Sequence, residues 1–421
     1  LEEDGEDRIA KKAKIENVEP MEIATKYTND FRDQLKKLNC LYPNIEPLAS
    51  GHIVEQIESI EKIIAKGYAY ESKGSVYFDI DRFRKKHTYG KLSNRNIDDL
   101  ISNTRELKSQ KDKKNQFDFA LWKKADSKHI MKWKSPWGEG YPGWHIECTA
   151  MSQKYLGKKF DIHGGGMDLK FPHHDCEIAQ SEVICNENPA NYWLHTNMLT
   201  HNKKKMSKST GNSILLKDVE GSYTKKGPVI FAIRIFLLSG HYRSVLDYNE
   251  KTLADSEKIY ARIFNGWSRL LDWRVAIEEK GGEGVPIDNK NPQISNNELE
   301  NIYLGLENAL LDDFNTPKFI SELIRLTKII EKLYLKKLTI SLDSLKSLNN
   351  NFVSYMYILG VDGNLETTKL LVKEDFEREV DELKEIIQKI RSKARDVADY
   401  DTSDFIRDEL TKLGYEIQDK D

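Results

Sequence analysis

Apolar positions follow a helical period in the first part of this chain. Ile53, Ile57, Ile60, Ile63 and Ile64 recur at three- and four-residue intervals, which predicts an amphipathic helix from about His52 to Lys66, stopped by Gly67. The residues before it are also helical in pattern, with Pro20 placed to open a second helix ending near Asn39. From Tyr68 to about Pro142 the pattern changes. Aromatics, lysines and turn residues surround short strand-like pieces such as Ser75 to Ile80, and residues 68–142 read as an inserted α+β module. After Gly143 come a helix to about Leu156, a strand over Phe160 to His163, a glycine turn, a helix opened by Pro172 and an apolar run over Asn191 to Leu199. This alternation predicts an α/β fold with a parallel sheet. From about Leu253 nearly everything reads as long helix, including Asn297–Leu311, Lys318–Leu335 and Phe376–Val397. That pattern predicts a helical bundle followed by a small C-terminal helical unit.

Composition narrows the classes. The chain has 421 residues, enough for several domains, and a formal charge of −3, which argues against binding nucleic acid through bulk charge. Local basic patches remain possible partners for a folded RNA. Cys40, Cys148, Cys176 and Cys185 match no disulfide scaffold, so a reducing, cytoplasmic compartment is expected. The longest apolar run, Pro228 to Ser239, contains Arg234 and reads as a buried helix, too short to cross a membrane.

Three motifs carry chemistry. Lys205-Met206-Ser207-Lys208-Ser209 puts two lysines three apart beside small hydroxyl residues, a pattern able to clamp a triphosphate and neutralise charge on departing pyrophosphate. It equals the signature loop of class I aminoacyl-tRNA synthetases, where a generic lysine-rich pentapeptide would be a solvated loop. His163-Gly164-Gly165-Gly166-Met167-Asp168 offers close backbone approach at Gly165 and Gly166 and a carboxylate at Asp168 for ribose hydroxyls. Alone it would be only a turn; its place between the other motifs raises it. The third is Trp144-His145-Ile146-Glu147-Cys148 followed by Pro172-His173-His174-Asp175-Cys176-Glu177. His173 and Glu177 are four apart on one helical face, as are Trp144 and Cys148. A thiolate, an imidazole and a carboxylate, Cys148, His173 and Glu177, suit one zinc ion with an exchangeable position. His174 is the alternative histidine. Cys176 and Cys185 read as core, and Cys40 has no partner nearby.

With these residues in place, the chain resembles the cysteinyl-tRNA synthetases. The resemblance extends over Tyr89–Ser93, Asp118–Lys123, Ser135–Gly138, Gly143–Met151, Phe160–Ser181, the signature loop, His241–Ser244, Asp312–Pro317, Ala394-Arg395 and Ser403–Leu410. It implies a Rossmann-like catalytic domain with an α+β insertion and an α-helical anticodon-binding region. The corresponding segments are 1–67, the rest of the first half of the catalytic domain; 68–142, the insertion; 143–200, its second half; 201–252, the signature-loop and stem-contact region; 253–375, the bundle; and 376–421, the anticodon-binding unit. It also implies a cysteine–tRNA ligase that uses ATP, with Mg2+, to form cysteinyl-adenylate and then charges tRNA-Cys.

By the same resemblance, Cys148, His173 and Glu177 hold Zn2+, Trp144 and His163 line the L-cysteine pocket, Gly165, Gly166 and Asp168 lie near adenosine, and Lys205 and Lys208 on the phosphates. A monomer is expected. The family's first zinc cysteine and its His-Ile-Gly-His motif would stand before Leu1, and Gly51-His52-Ile53 does not replace that motif. Basic clusters at Arg82, Arg84, Lys85, Lys86 and Lys108–Lys114 read either as solvated surface or as RNA contacts, and so do Arg391, Arg395 and Arg407. An amino-sugar-linking cysteine ligase and a non-catalytic tRNA-binding relative stand as alternatives.

Overall fold

A computed structural model describes residues 8–95, 112–127, 129–206, 211–222, 229–279, 284–287, 291–361, 386–396 and 399–412. The chain divides into two compact units, Leu1–Asn212 with Gly240–Tyr248, and Ser213–Ser239 with Asn249–Asp421.

The first unit opens with helices α1 (Arg8–Glu16), α2 (Pro20–Lys37) and α3 (Ile53–Ala65). Glu19 and Glu22 form a capping box at the start of α2, with Pro20 inside the first turn. Ile53, Ile60 and Ile63 of α3 are buried, and Gly67 ends the helix with φ of 76°. Four strands follow in the order β1 (Ala69–Ser72), β2 (Ser75–Phe78), β3 (Phe119–Lys124) and β4 (Gly140–Pro142), all antiparallel, with the short helix α4 (Ile80–Arg84) after β2. Phe78, Phe83, Leu121 and Trp122 from this segment share one core with α3, α5 (Trp144–Leu156) and α6 (Asp175–Cys185). The buried Asp118 carboxylate closes the sheet onto its neighbours, accepting from Tyr70 Oη at 2.6 Å, Ile80 N at 2.9 Å and Asn115 N at 3.0 Å.

Strands β5 (Phe160–Gly166) and β6 (Ala190–Thr196) run parallel on either side of α6, a βαβ crossover. The expected glycine turn is not there. Gly164, Gly165 and Gly166 lie within β5, paired with Leu194, His195 and Thr196. Their smallness serves packing: a Cβ on Gly165 would stand 2.8 Å from the His174 ring, and one on Gly166 would meet the Asp168 carboxylate. Pro172 does not open the next helix either. The Phe171–Pro172 peptide is cis, Phe171 is extended, and α6 begins at Asp175. A last sheet contains β7 (Leu199–His201), β8 (Lys204–Lys205) and β9 (Leu246–Tyr248), with β7 in the centre, antiparallel to β8 and parallel to β9.

The second unit is helical: α7 (Leu216–Ser222), α8 (Val229–Ser239), α9 (Glu250–Glu279), α10 (Asn296–Leu311), α11 (Thr316–Tyr334) and α12 (Leu342–Leu359). The Asp312–Pro317 motif is the turn between α10 and α11. Asp313 and Phe314 take positive φ, and the Asn315 side chain caps α11 by accepting from Lys318 N. Phe264, Phe319, Leu323, Ile330 and Phe352 are buried in one core. Arg234 of α8 donates to the Leu359 carbonyl at the end of α12, where Gly360 turns with φ of 65°. A Cβ there would collide with the Arg234 guanidinium as well as straining the backbone. Gly360→Ala should lower the unfolding free energy by more than about 1 kcal/mol in urea titrations.

Arg391, read above as a candidate RNA contact, is 6% exposed and donates to the Ser403 carbonyl at 3.3 Å. It joins the helical run 386–396 to the helix Tyr400–Lys412, so its guanidinium is structural. Cys185 is half-buried at the end of α6, where α6 stops at the left-handed Asn186, so it is not core; Cys176 is. Residues 108–111 of the basic run and 376–385 of the expected C-terminal helix lie outside the described residues. Among the described residues, no helix is long and apolar enough to cross a membrane.

Candidate active site and metal centre

Gly143 places the first half of the site. Its N–H donates to Leu121 O at 2.8 Å, and any Cβ would strike the Ala120 carbonyl, so the start of α5 lies directly on β3. The first turns of α5 therefore carry Trp144, His145, Glu147 and Cys148 from a fixed base. The tight turn 170–174 and the first turn of α6 supply His173, His174 and Glu177, all nearly fully buried.

Cys148 Sγ, one His173 nitrogen and one Glu177 oxygen lie within 4.8 Å of one another. His163, His174 and Glu177 form a second group of the same kind, sharing the carboxylate. Glu177 Oε1 is 3.0 Å from His173 Nε2, yet it makes no hydrogen bond among the described residues. Its other oxygen is 3.7 Å from His163 Nε2. A carboxylate oxygen buried without a donor costs about 1–3 kcal/mol. A cation held between these donors would remove that cost, so the residues fit a metal ion. The thiol at Cys148 makes the first group the one suited to zinc.

Sequence reading missed His145 and His195. His145 Nδ1 is 2.8 Å from His173 Nδ1, and His174 Nδ1 is 2.8 Å from His195 Nε2. If His173 ligates through Nε2, its Nδ1–H donates to His145, which fixes tautomer and ring orientation. His145 stands within a motif already singled out, but His195 is brought in only by its register opposite Gly165. Trp144 is half exposed, with its ring 4.3 Å from His173, and His163 stacks on Trp193 at 4.6 Å.

Electrostatics follow from burial. The Cys148 thiol is pushed up to about 12, by burial first and then by the Glu177 and Glu147 carboxylates. Burial raises Glu147 to about 7 and lowers His145 and His174 to about 3, and it also lowers His163. These imidazoles therefore stay neutral at pH 7, while Cys148 must give up a proton to become a ligand. Apparent zinc affinity should rise about tenfold per pH unit over roughly pH 7 to 9. Competition with a chromogenic chelator measures this; a flat profile would exclude the thiolate.

Asp168 lies just past the carboxyl end of β5, where the chain turns through Met167 and Leu169, the edge at which open parallel sheets bind ligands. Lys205 is in β8 and not in a free loop. The Asp247 carboxylate supports that hairpin through Thr200 Oγ1 and Lys203 N, both at 2.6 Å. Asn212 Nδ2 donates to Lys205 O at 3.1 Å, tying together the two sides of the signature segment. Lys208 itself lies outside the described residues.

Residues 3–258 match the family of tRNA synthetases class I (C) catalytic domain. A cysteine–tRNA ligase of Bacteroides fragilis is 44% identical over 421 residues, spanning 99% of this chain and 82% of that protein. The chain belongs to the class I cysteine–tRNA ligases. Another member, from Phocaeicola vulgatus, is 45% identical with the same two coverages. The methionyl-tRNA synthetase of Mycobacterium tuberculosis, solved with methionyl-adenylate, shares the fold at a TM-score of 0.53 and 12% identity, over 87% of this chain and 81% of that one. The class I family and its Rossmann-like catalytic fold were therefore legible in the signature motifs.

Proposed function

We propose that the chain activates L-cysteine with ATP, giving cysteinyl-adenylate and pyrophosphate, and then passes the cysteinyl group to the 3′-terminal ribose of tRNA-Cys. The buried Cys148–His173–Glu177 group, in a chain aligned almost throughout with cysteine–tRNA ligases, carries this reading. Zinc bound there supplies a soft centre that prefers a thiolate to the protonated hydroxyl of serine. Cys148, His173 and Glu177 hold it, and His145 keeps the His173 ring in place. Trp144 and His163 flank the group and shape the cysteine pocket. Adenosine lies against the backbone of Gly165 and Gly166 at the end of β5, and Asp168 accepts from ribose hydroxyls. Lys205, with Lys208, neutralises the phosphates of ATP, which enters with Mg2+.

None of the four cysteines is joined in a disulfide, in keeping with a cytoplasmic enzyme. The test is ATP–pyrophosphate exchange with cysteine, followed by charging of tRNA. Cysteine-dependent exchange and cysteinyl-tRNA are expected. Exchange with amide formation on an amino-sugar in place of charging would overturn the tRNA step, and no exchange from zinc-replete protein would overturn activation.

A further inference from the structure

Lys203, Lys204 and Lys205 are identical side chains in a row, and only Lys205 is assigned to the phosphates of ATP. Residue type cannot choose among them. Successive side chains of a strand point to opposite faces, so a slip of one residue in the β7–β8 hairpin would hand the place of Lys205 to a neighbouring lysine. The register that is present pairs Thr200 with Lys205 and His201 with Lys204, across a turn made by Asn202 and Lys203.

That turn does not follow from its own sequence. Asn202 and Lys203 take φ of 51° and 62°, the left-handed pair that a tight hairpin needs. Asparagine tolerates this conformation, but the second position favours glycine, and a lysine there is strained. Such strain persists where neighbouring groups over-determine the backbone, and it gathers at functional sites. Here the neighbours belong to β9. Asp247 Oδ1 accepts from Lys203 N and from Thr200 Oγ1, both at 2.6 Å, and Tyr248 O accepts from Asn202 N at 3.1 Å. One carboxylate oxygen therefore holds both the strained turn residue and the residue opposite Lys205. His201 links the turn to the far side of the signature segment: its Nδ1–H donates to Asn212 O at 3.3 Å, and its Nε2 accepts from Asn202 Nδ2 at 2.9 Å.

We propose that Asp247 is a positioning residue for cysteine activation, which locks the hairpin in register and so selects Lys205 from the run of lysines as the phosphate contact. The inference rests on reading Lys205 as that contact. Its effect on the reaction runs through the lysine. Lys205 counters charge that grows on the phosphates in the transition state, so a displaced hairpin lowers kcat and leaves the binding of cysteine unchanged.

The test uses the full chain with Asp247→Ala, Asp247→Asn, Lys205→Ala and the double variant Asp247→Ala/Lys205→Ala. Cysteine-dependent ATP–pyrophosphate exchange gives kcat and KM, and zinc content with thermal unfolding shows that each variant is folded. Asp247→Ala should lower kcat about tenfold or more, within the roughly 100-fold that a misplacement of about 1 Å can cost, with KM for cysteine and zinc content as in the parent. Asp247→Asn should stay within about threefold, because its amide oxygen accepts from the same two donors. The double variant should be no more than about twofold slower than Lys205→Ala, since groups that act as one unit are not additive. Parental kcat in Asp247→Ala would overturn the proposal. So would an undiminished loss on top of that of Lys205→Ala, which would make the carboxylate act independently of the lysine. Parental exchange in Lys205→Ala would take that lysine off the phosphates and the proposal with it, whereas no cysteine-dependent exchange in the parent would sink the ligase reading on which both stand.

Discussion

Cys148→Ala is expected to lose its zinc and to slow cysteine activation by more than about 100-fold. Changes to residues that merely orient metal ligands already cost about 10–100-fold, and Cys148 is proposed to touch the ion itself. The substitution leaves the fold intact, because Cys148 is half-buried and loses only a sulfur. Cys176→Ala is the matching control. That thiol is 1% exposed in the core of the first unit and meets Tyr89 Oη at 3.2 Å, so its loss should reduce stability yet leave zinc and exchange rate in place. Zinc content by emission spectroscopy, with exchange on the same samples, separates the two. Full zinc in Cys148→Ala would remove that residue from the ligand set.

The second large effect concerns serine, which differs from cysteine by one atom. An apolar pocket separates such pairs only about 10- to 200-fold, whereas a site built around the distinguishing group reaches about 10⁴ to 10⁵. Zinc-replete protein should therefore favour cysteine over serine by at least about 10⁴ in kcat/KM for exchange. Chelation should bring the ratio down to about 10² or below, chiefly by slowing the cysteine reaction. Discrimination that survives complete zinc removal would show that Trp144, His163 and their neighbours select the thiol without the ion.

What could be read without coordinates was whatever depends on short spacing. The α3 face, the span of α5 and the Cys148–His173–Glu177 set are all local or joined by motifs of fixed length. The glycines of β5 misled because a Gly-rich run has the same composition in a turn and in a strand; only pairing with Leu194, His195 and Thr196 decides between them. Pro172 misled in a similar way, since a helix-opening proline and a cis proline before a tight turn look alike in sequence. His195 was out of reach for a different reason. It is brought in by strand register, which leaves no periodic mark. Arg391 shows the converse, a basic residue on a helix that faces inward to a carbonyl.

The chain leaves the first unit after Asn212, returns at Gly240 to add β9, and leaves again after Tyr248. The two units are thus interleaved in sequence, and no single cut yields the catalytic half intact. A fragment ending at Asn212 would lack Leu246–Tyr248, exposing the full edge of β7 and depriving Thr200 and Lys203 of the Asp247 carboxylate. Bare strand edges of this kind invite pairing between copies. Gene-level dissection would therefore have to splice residues 240–248 back in parallel to β7, and insertions or tags are better tolerated elsewhere than between α8 and α9.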